Sequence, residues 1–138
     1  MKIVVNRCYG GFGISEKAVD RYAELAGIKL YRFTDKRING NLDLKHFIPY
    51  EKGMKNVFII YHSTKPLKDD GTYAEDSWWY DGSLDRADPI LVQVVEELGK
   101  EADGEHAELD VVEIPDDVKY EINDYAGIET IHEVHRSW

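Results

Sequence analysis

A glycine-rich turn near the N-terminus is the feature of this sequence best suited to binding chemistry. Residues 2–6 form a strand-like apolar run, residues 10, 11 and 13 are glycines, and Ser15 precedes a helix-like segment. A strand, a glycine-rich turn and a helix N-terminus in succession can bind an anion, because backbone amides and the helix dipole point at it. The pattern matches neither the dinucleotide-binding fingerprint nor the P-loop. The structural alternative is a tight βα turn in which Ser15 only caps the helix.

Two residues further along the chain extend this candidate site. His62 follows the apolar run 56–61, and Arg86 lies just before the start of a second helix. Ligands of sheet-and-helix folds bind beyond the C-terminal ends of parallel strands, so we expect residues 8–15, 62–64 and 86–88 on one rim. The predicted nucleotide- or phosphate-binding set is Arg7, Cys8, Tyr9, Gly10, Gly11, Phe12, Gly13, Ser15, His62 and Arg86.

Cys8 is the only cysteine, which excludes an intrachain disulfide. Arg7 and the helix N-terminus would favour its thiolate, and His62 is the best candidate for a base. A lone cysteine is more often a small buried apolar group. We therefore assign no catalytic residue and expect a binding protein rather than an enzyme.

A second candidate region is a run of three large aromatic residues in a polar loop. Trp78, Trp79 and Tyr80 cannot all face one core, so we expect at least one to be exposed. Exposed aromatic residues anchor protein interfaces and stack on bases; the alternative is a flap over the core with Trp79 inside. We predict a partner-binding surface that combines these three residues with the acidic pair Asp116 and Asp117.

The remaining titratable residues do not predict a metal site or a cofactor. His132 and His135 are three residues apart, but we expect a strand there, which points them to opposite faces. The pair Asp69–Asp70, like Asp116–Asp117, is typical of a solvated turn. We predict no metal ion.

The elements that must position these residues alternate between strand and helix patterns. We predict an α/β fold with one domain over residues 1–138, a mixed sheet in the order β-α-β-β-α-β, and a C-terminal β-hairpin. Ser15 and Gly27 bound the first helix, and Asp88 with Pro89 begins the second. The predicted strands cover residues 2–6, 28–33, 56–61 and 107–114, with 46–48 as a short strand or loop, and the hairpin joins 118–124 to 128–134. A βαβ start predicts parallel first strands, and residues 39–41 (Asn-Gly-Asn) indicate a turn.

Composition and charge narrow the classes of partner. The 138 residues carry a net charge of -10, with +6 in residues 1–66 and -16 in residues 67–138. An acidic chain is repelled by a phosphate backbone, so we expect no direct nucleic-acid backbone binding. The acidic half either imitates nucleic acid towards a basic partner, attracts the basic half within or between protomers, or is a solvated face. No apolar run approaches the roughly 20 residues of a membrane span, and no signal-peptide pattern is evident, which favours a cytoplasmic protein.

Three stretches carry a family resemblance. They are Asn6–Ser15 (NRCYGGFGIS), Arg86–Gly99 (RADPILVQVVEELG) and Val112–Val118 (VEIPDDV), with the terminal residues 135–138 (HRSW) also in agreement. The chain resembles a family of small uncharacterised proteins encoded by bacteriophages and prophages. The resemblance implies a phage accessory protein in the cytoplasm of a bacterial host.

Two main functions remain open at this point. The first is a non-enzymatic protein that binds a host or defence-system component through its acidic half and residues 78–80. The alternative is a nucleotide- or phosphate-binding protein, a sequestering module or a small enzyme, that uses the turn 7–15. An assembly protein of the virion is a third reading, and a homo-oligomer is compatible with each.

Overall fold

The computed structural model of the chain describes residues 1–38, 41–54, 57 and 59–134, and of residues 36–38 and 41–45 it describes the backbone only. Within these residues two α-helices and eight strands follow one another. They are β1 (Lys2–Asn6), α1 (Glu16–Ala26), β2 (Tyr31–Ile38), β3 (Asn41–Pro49), β4 (Tyr61–Ser63), β5 (Trp78–Trp79), α2 (Pro89–Leu98), β6 (Leu109–Glu113), β7 (Tyr120–Tyr125) and β8 (Ile128–Glu133). The presence of both helices and sheets confirms the mixed α and β class.

The chain divides into two compact units. The terminal unit contains Met1–Ala26 and Asp81–Trp138, and the central unit contains Gly27–Tyr80. The terminal unit is therefore built from two separate stretches of sequence. A single domain over the whole chain stays a prediction.

Strands β1 and β6 form the sheet at the centre of the terminal unit. They pair antiparallel from Lys2 opposite Glu113 to Asn6 opposite Leu109. Helix α2 packs on both strands, and α1 packs on α2. The core of this unit consists of apolar side chains from β1 and from the buried faces of α1 and α2. They are Ile3, Val4, Val5, Ala18, Val19, Tyr22, Leu91, Val92, Val94 and Val95.

Both helices begin as their sequences predict. The Ser15 hydroxyl accepts the Ala18 amide at 3.1 Å and so caps α1. The Asp88 carboxylate accepts the Ile90 amide at 2.9 Å, with Pro89 in the first turn of α2. These caps satisfy amides that the helix itself leaves without acceptors.

The C-terminal hairpin is confirmed, and its turn has the expected geometry. Strands β7 and β8 pair antiparallel from Tyr120 opposite Glu133 to Tyr125 opposite Ile128. The two connecting residues, Ala126 and Gly127, have φ values of 51° and 97°. Positive φ at both positions is the requirement of a type I′ turn, which matches the twist of the paired strands.

The central unit is a four-stranded antiparallel sheet in the order β3-β2-β4-β5. Tyr31 lies opposite Ser63, and Ser63 lies opposite Trp78. The strand predicted at 28–33 begins later, at Tyr31, and extends to Ile38. The segment 46–48, predicted as a short strand or loop, is part of the longer strand β3. The turn predicted at residues 39–41 falls on residues 39 and 40, which lie outside the described part of the chain.

The predicted parallel pairing at the start of the chain is wrong. All pairs among the described strands are antiparallel, and β1 and β2 belong to different sheets. Strand β2 pairs with β3 on one edge and β4 on the other, so neither edge is open to β1. The rim argument for residues 8–15, 62–64 and 86–88 therefore loses its basis.

The apolar run 56–61, which we predicted to be a strand, has a different structure over most of its described residues. Asn56 and Phe58 lie outside the described residues, while positions 57, 59 and 60 are not strand, and β4 begins only at Tyr61. The carbonyl of Ile59 accepts a hydrogen bond from the Thr34 hydroxyl at 2.8 Å. A side-chain contact thus holds this segment, and the Ile59 side chain is 51% exposed.

Candidate functional site

The glycine-rich turn joins β1 to α1 in the terminal unit, and several of its amides already have acceptors within the chain. Five of them donate to groups of the chain itself: those of Arg7, Cys8, Gly10, Ile14 and Ser15. The Ile14 amide, next to the start of α1, donates to Asp81 Oδ2 at 3.0 Å. The Asp81 carboxylate thus takes the position at the helix start that the sequence suggested for a bound anion. The anion site at residues 7–15 stays a prediction, and this geometry counts against it.

A glycine at the tip of the C-terminal hairpin permits close packing against the glycine-rich turn. A Cβ atom on Gly127 would lie 2.4 Å from the Gly11 nitrogen and 2.6 Å from the Gly10 nitrogen. The Gly10 amide also donates to the Ala126 carbonyl at 3.3 Å. No side chain fits between two backbones at such distances. Gly127 is therefore the glycine that lets the hairpin dock on the turn, whereas a Cβ atom on Gly11 would meet no atom within 4 Å.

Arg86 contacts the turn, but the anion that it binds is the side chain of Glu129 in the same chain. Its guanidinium forms a two-pronged ion pair with Glu129, with Nη2 to Oε2 at 2.9 Å. The guanidinium carbon also lies 3.5 Å from the centre of the Phe12 ring. The two charged side chains are only 16% and 6% exposed. A paired, stacked and buried arginine fixes the hairpin to the turn and is not poised for an external phosphate.

Asn6 connects the same elements through backbone groups, and sequence reasoning missed it. Its Nδ2 donates to the carbonyls of Cys8 at 2.8 Å and Gly127 at 2.7 Å. Its Oδ1 accepts the amides of Cys8 and Glu108, and its own amide donates to Glu129 Oε1 at 2.8 Å. Asn6 is fully buried, so these bonds satisfy a side chain that would otherwise destabilise the core.

The structure gives Cys8 no activating base within its own unit. Cys8 is half-buried, and among the described residues of the terminal unit no base contacts its thiol. His62, the predicted base, belongs to the central unit, where its ring lies 5.6 Å from that of Trp79. A catalytic Cys8–His62 pair has no geometric support.

The three consecutive aromatic residues have different environments in the central unit. Trp78 is 44% exposed and Tyr80 is 57% exposed, while Trp79 is half-buried beside His62. The expectation that at least one would be exposed is confirmed. The Trp78 ring packs against two other rings: its centre lies 5.3 Å from that of Tyr73 and 5.4 Å from that of Tyr61.

Trp78 belongs to a cluster of five rings on one face of the central sheet. The buried Phe33 ring lies within 6.1 Å of each of the other four: Phe47, Tyr61, Tyr73 and Trp78. Burial, followed by the nearby Asp35 carboxylate, raises the pKa of Tyr61. Tyr61 is therefore a neutral hydroxyl in this cluster at physiological pH.

The acidic pair Asp116 and Asp117 lies on the surface of the terminal unit. Asp116 forms an ion pair with the N-terminal ammonium group, which holds the pKa of that carboxyl below its usual range. Asp117 is exposed and has no ion pair among the described residues. The two neighbouring carboxylates thus differ, and Asp117 is the one with its charge uncompensated.

A buried tyrosine joins the two helices of the terminal unit. The Tyr22 hydroxyl donates to Asp88 Oδ2 at 2.5 Å, while Asp88 Oδ1 caps α2. Burial, followed by the hydrogen bond and the charge of Asp88, raises the pKa of Tyr22 to about 12. This contact is structural, because Asp88 has both oxygens engaged within the protein.

Metal binding and membrane insertion have no visible basis in the described residues. No group of three or more His, Cys, Asp or Glu side chains is arranged there to hold a metal ion. His132 is exposed on β8 beside the Thr130 hydroxyl at 2.9 Å, and His135 lies outside the described part of the chain. None of the described helices has both the length and the apolar character that a bilayer crossing requires.

Comparison of the chain with protein-family models, with curated proteins and with solved structures gives no match. The resemblance to small phage and prophage proteins therefore stays a prediction based on the motifs at residues 6–15, 86–99 and 112–118.

Proposed function

We propose that this chain is a non-enzymatic binding protein whose terminal unit recognises a basic surface on a protein partner. The observation that carries the proposal is the division of charge between the two units. The terminal unit contains 20 Asp and Glu against 8 Lys and Arg, a formal charge of -12, while the central unit has 7 against 9, or +2. Such a concentration of one sign steers association with a partner of the opposite sign.

The hairpin region presents uncompensated acids to solvent. Asp117, Glu121 and Glu133 are exposed, and among the described residues none of them forms an ion pair. Glu121 lies on the outward face of β7, because Tyr120 and Ile122 on either side of it are half-buried. These carboxylates are therefore available to lysine and arginine side chains of a partner.

Exposed aromatic residues supply anchors of the kind that strengthen a charged interface. Tyr125 is 77% exposed at the end of β7, beside the hairpin turn. In the central unit, Trp78 and Tyr80 are each exposed as well. Aromatic residues contribute much of the binding energy in protein interfaces, whereas exposed charges mainly set the association rate and the specificity.

The class of partner that we propose is based on the family resemblance. We propose a phage-encoded accessory protein that acts in the bacterial cytoplasm on a host protein or a component of its defences. The alternative function, nucleotide or phosphate binding by residues 7–15, has less support because five amides of that turn, including the Ile14 amide next to the start of α1, donate within the chain.

The test is capture of a partner by immobilised protein at low and high salt, followed by charge reversal. We expect a basic protein to be retained at about 0.05 M salt and released at about 0.5 M, because screening shortens the range of the attraction. The variant Asp117→Lys/Glu121→Lys should weaken retention at least about tenfold. The matched control is Asp69→Lys/Glu75→Lys, which makes the same change of charge in the central unit.

The two variants separate a local acidic surface from a general effect of net charge. Equal loss in both would contradict a binding surface on the terminal unit. Retention that is independent of salt and of both variants would refute an acidic recognition surface altogether.

A further inference from the structure

We propose that the central unit has a second, independent function: it binds a nucleoside monophosphate group in a pocket beside the N-terminal end of β2. The pocket has a volume of about 420 Å³, within the roughly 300–1,000 Å³ usual for small-molecule sites. It is lined by Leu30, Tyr31, Arg32, Phe33, Pro49, Tyr50, Lys52, Pro66 and Leu67.

The backbone brings two tyrosines to the same end of the sheet. Tyr31 is the first residue of β2, and Tyr50 directly follows β3. The Tyr50 amide donates to the Arg32 carbonyl at 2.9 Å, which continues the pairing of these antiparallel strands beyond the end of β3. That hydrogen bond fixes the backbone separation of Tyr50 from β2, so both tyrosines are held at this end of the sheet before any ligand binds.

Most of the remaining wall is apolar and stiff. Pro49 and Pro66 restrict the backbone where it lines the pocket, and Phe33, which also lines it, is the centre of the five-ring cluster. A preformed site with aromatic and proline walls favours a flat ligand, since the site loses little conformational freedom when the ligand binds. The body of the ligand is therefore a planar ring.

The charged residues that line the pocket are basic. Arg32 and Lys52 line it, and Lys29 Nζ lies 5.0 Å from the centre of the Tyr31 ring. Among the described residues that line the pocket, none is acidic. This contrasts with the chain as a whole, whose net charge is -10. A basic pocket on an acidic protein favours an anionic ligand and admits it in preference to a cation.

A planar ring that carries an anionic group is the chemistry of a nucleotide. Bases stack on aromatic side chains irrespective of sequence, and Lys52 is the lining cation that we assign to the phosphate. Inorganic phosphate alone leaves the aromatic wall unused, and a nucleoside alone leaves the charges unused. The same group occurs as a free nucleotide and at the end of a single-stranded nucleic acid.

The test is calorimetric titration of the full chain with adenosine, guanosine, cytidine and uridine monophosphates, with the four nucleosides, and with inorganic phosphate. We expect at least one monophosphate to bind, and to bind at least tenfold more tightly than its nucleoside or phosphate alone. Binding by a nucleoside as tight as by its monophosphate, or no binding of any monophosphate, would overturn the proposal.

Substitutions then locate the binding. Tyr50→Phe keeps the ring and should preserve affinity, whereas Tyr50→Leu should weaken it roughly five- to a hundred-fold, the range for loss of one stacked base. Lys52→Ala should weaken binding, while Lys68→Ala removes an equal charge outside the pocket and should not. If Tyr50→Leu and Lys52→Ala both bind as the unchanged protein does, this pocket is not the site.

A last comparison distinguishes a free nucleotide from the end of a single-stranded nucleic acid as the ligand. A short single-stranded oligonucleotide with a terminal phosphate is compared with the free monophosphate. Tighter binding of the oligonucleotide identifies a strand end, and tighter binding of the monophosphate identifies a free nucleotide; both depend on Tyr50 and Lys52 if the proposal is right. The result is independent of partner capture by the terminal unit, because the pocket lies entirely within the central unit.

Discussion

The buried ion pair between Arg86 and Glu129 leads to the strongest prediction for stability. Glu129 accepts both prongs of the guanidinium and the Asn6 amide, and its side chain is only 6% exposed. The substitution Glu129→Gln preserves the shape of the side chain and removes its charge. Arg86 then keeps a buried positive charge that no longer has an anion.

The expected cost is large because water cannot replace the missing carboxylate. Removing one partner of a buried ion pair costs about 3–5 kcal/mol. The Phe12 ring continues to stabilise the guanidinium by about 1–2 kcal/mol, so we expect a loss near the lower end, about 3 kcal/mol. For a chain of 138 residues, that corresponds to a fall in Tm of roughly 12 °C.

The measurement is urea unfolding of the variant beside two controls. Glu101→Gln breaks the pair with Lys17, whose side chains are 66% and 60% exposed, and should leave stability nearly unchanged. The double variant Arg86→Met/Glu129→Leu replaces the whole pair by apolar groups and should cost less than either single change at Arg86 or Glu129. Hydrogen exchange at the Asn6 amide reports whether the loss is local to this contact.

The reasoning would be refuted by a small effect at Glu129. A cost below about 1 kcal/mol, similar to that of an exposed pair, would mean that water reaches the guanidinium. Additive costs in the double variant would mean that Arg86 and Glu129 do not depend on each other.

Two further predictions concern the packing of the terminal unit. Gly127→Ala should destabilise the protein much more than Gly11→Ala in thermal melts: the two glycines have similar φ values, 97° and 99°, but only the Cβ on Gly127 meets backbone atoms, at 2.4 Å from Gly11. Equal costs would mean that the hairpin can move away from the turn. Because the pKa of Tyr22 rises from 10.0 to about 12 on folding, its contribution to stability is complete below pH 10 and is lost as pH rises towards 12. Tyr22→Phe should flatten that loss in unfolding experiments between pH 9 and about 12, and an unchanged profile would contradict the assignment.

The helices were predictable because their signals are local. Ser15 and Asp88 sit where a side-chain oxygen can accept the first amides, and apolar residues at helical spacing mark the buried faces. The hairpin was predictable for the same reason, since Ala126 and Gly127 permit the turn that joins its strands. In each case the determining residues are within a few positions of one another.

Strand pairing was not predictable, because it depends on partners far along the chain. Nothing in residues 2–6 indicates that their partner is 109–113 rather than 28–33. The run 56–61 has the composition of a buried strand, but composition does not say whether a neighbouring edge is available. The βαβ interpretation followed the order of elements, and the hydrogen bonds follow a different order.

The candidate site shows the same limit. Arg86 does contact Phe12 of the glycine-rich turn, but the parallel-strand rim from which we expected them together is absent from the described strands, and their partners within the chain were missed. Glu129 carried one usable signal: it shares the inward face of β8 with Ile131, a position where an acid requires a buried partner. Asn6 and Asp81 carried no such signal, because their roles depend on backbone groups brought from distant segments.

The arrangement of β1 also has consequences for how the protein is made. Strand β1 pairs with residues 109–113, so about 100 residues must leave the ribosome before it finds its partner. At roughly 5–20 residues per second, that delay lasts roughly 5–20 seconds. During it, the apolar segment Ile3, Val4 and Val5 has no strand to cover it, whereas the antiparallel strands of the central unit follow one another closely and can pair at once. We therefore expect the nascent chain to bind chaperones through this segment. Conditions that slow translation should increase the fraction of chains that aggregate before they fold.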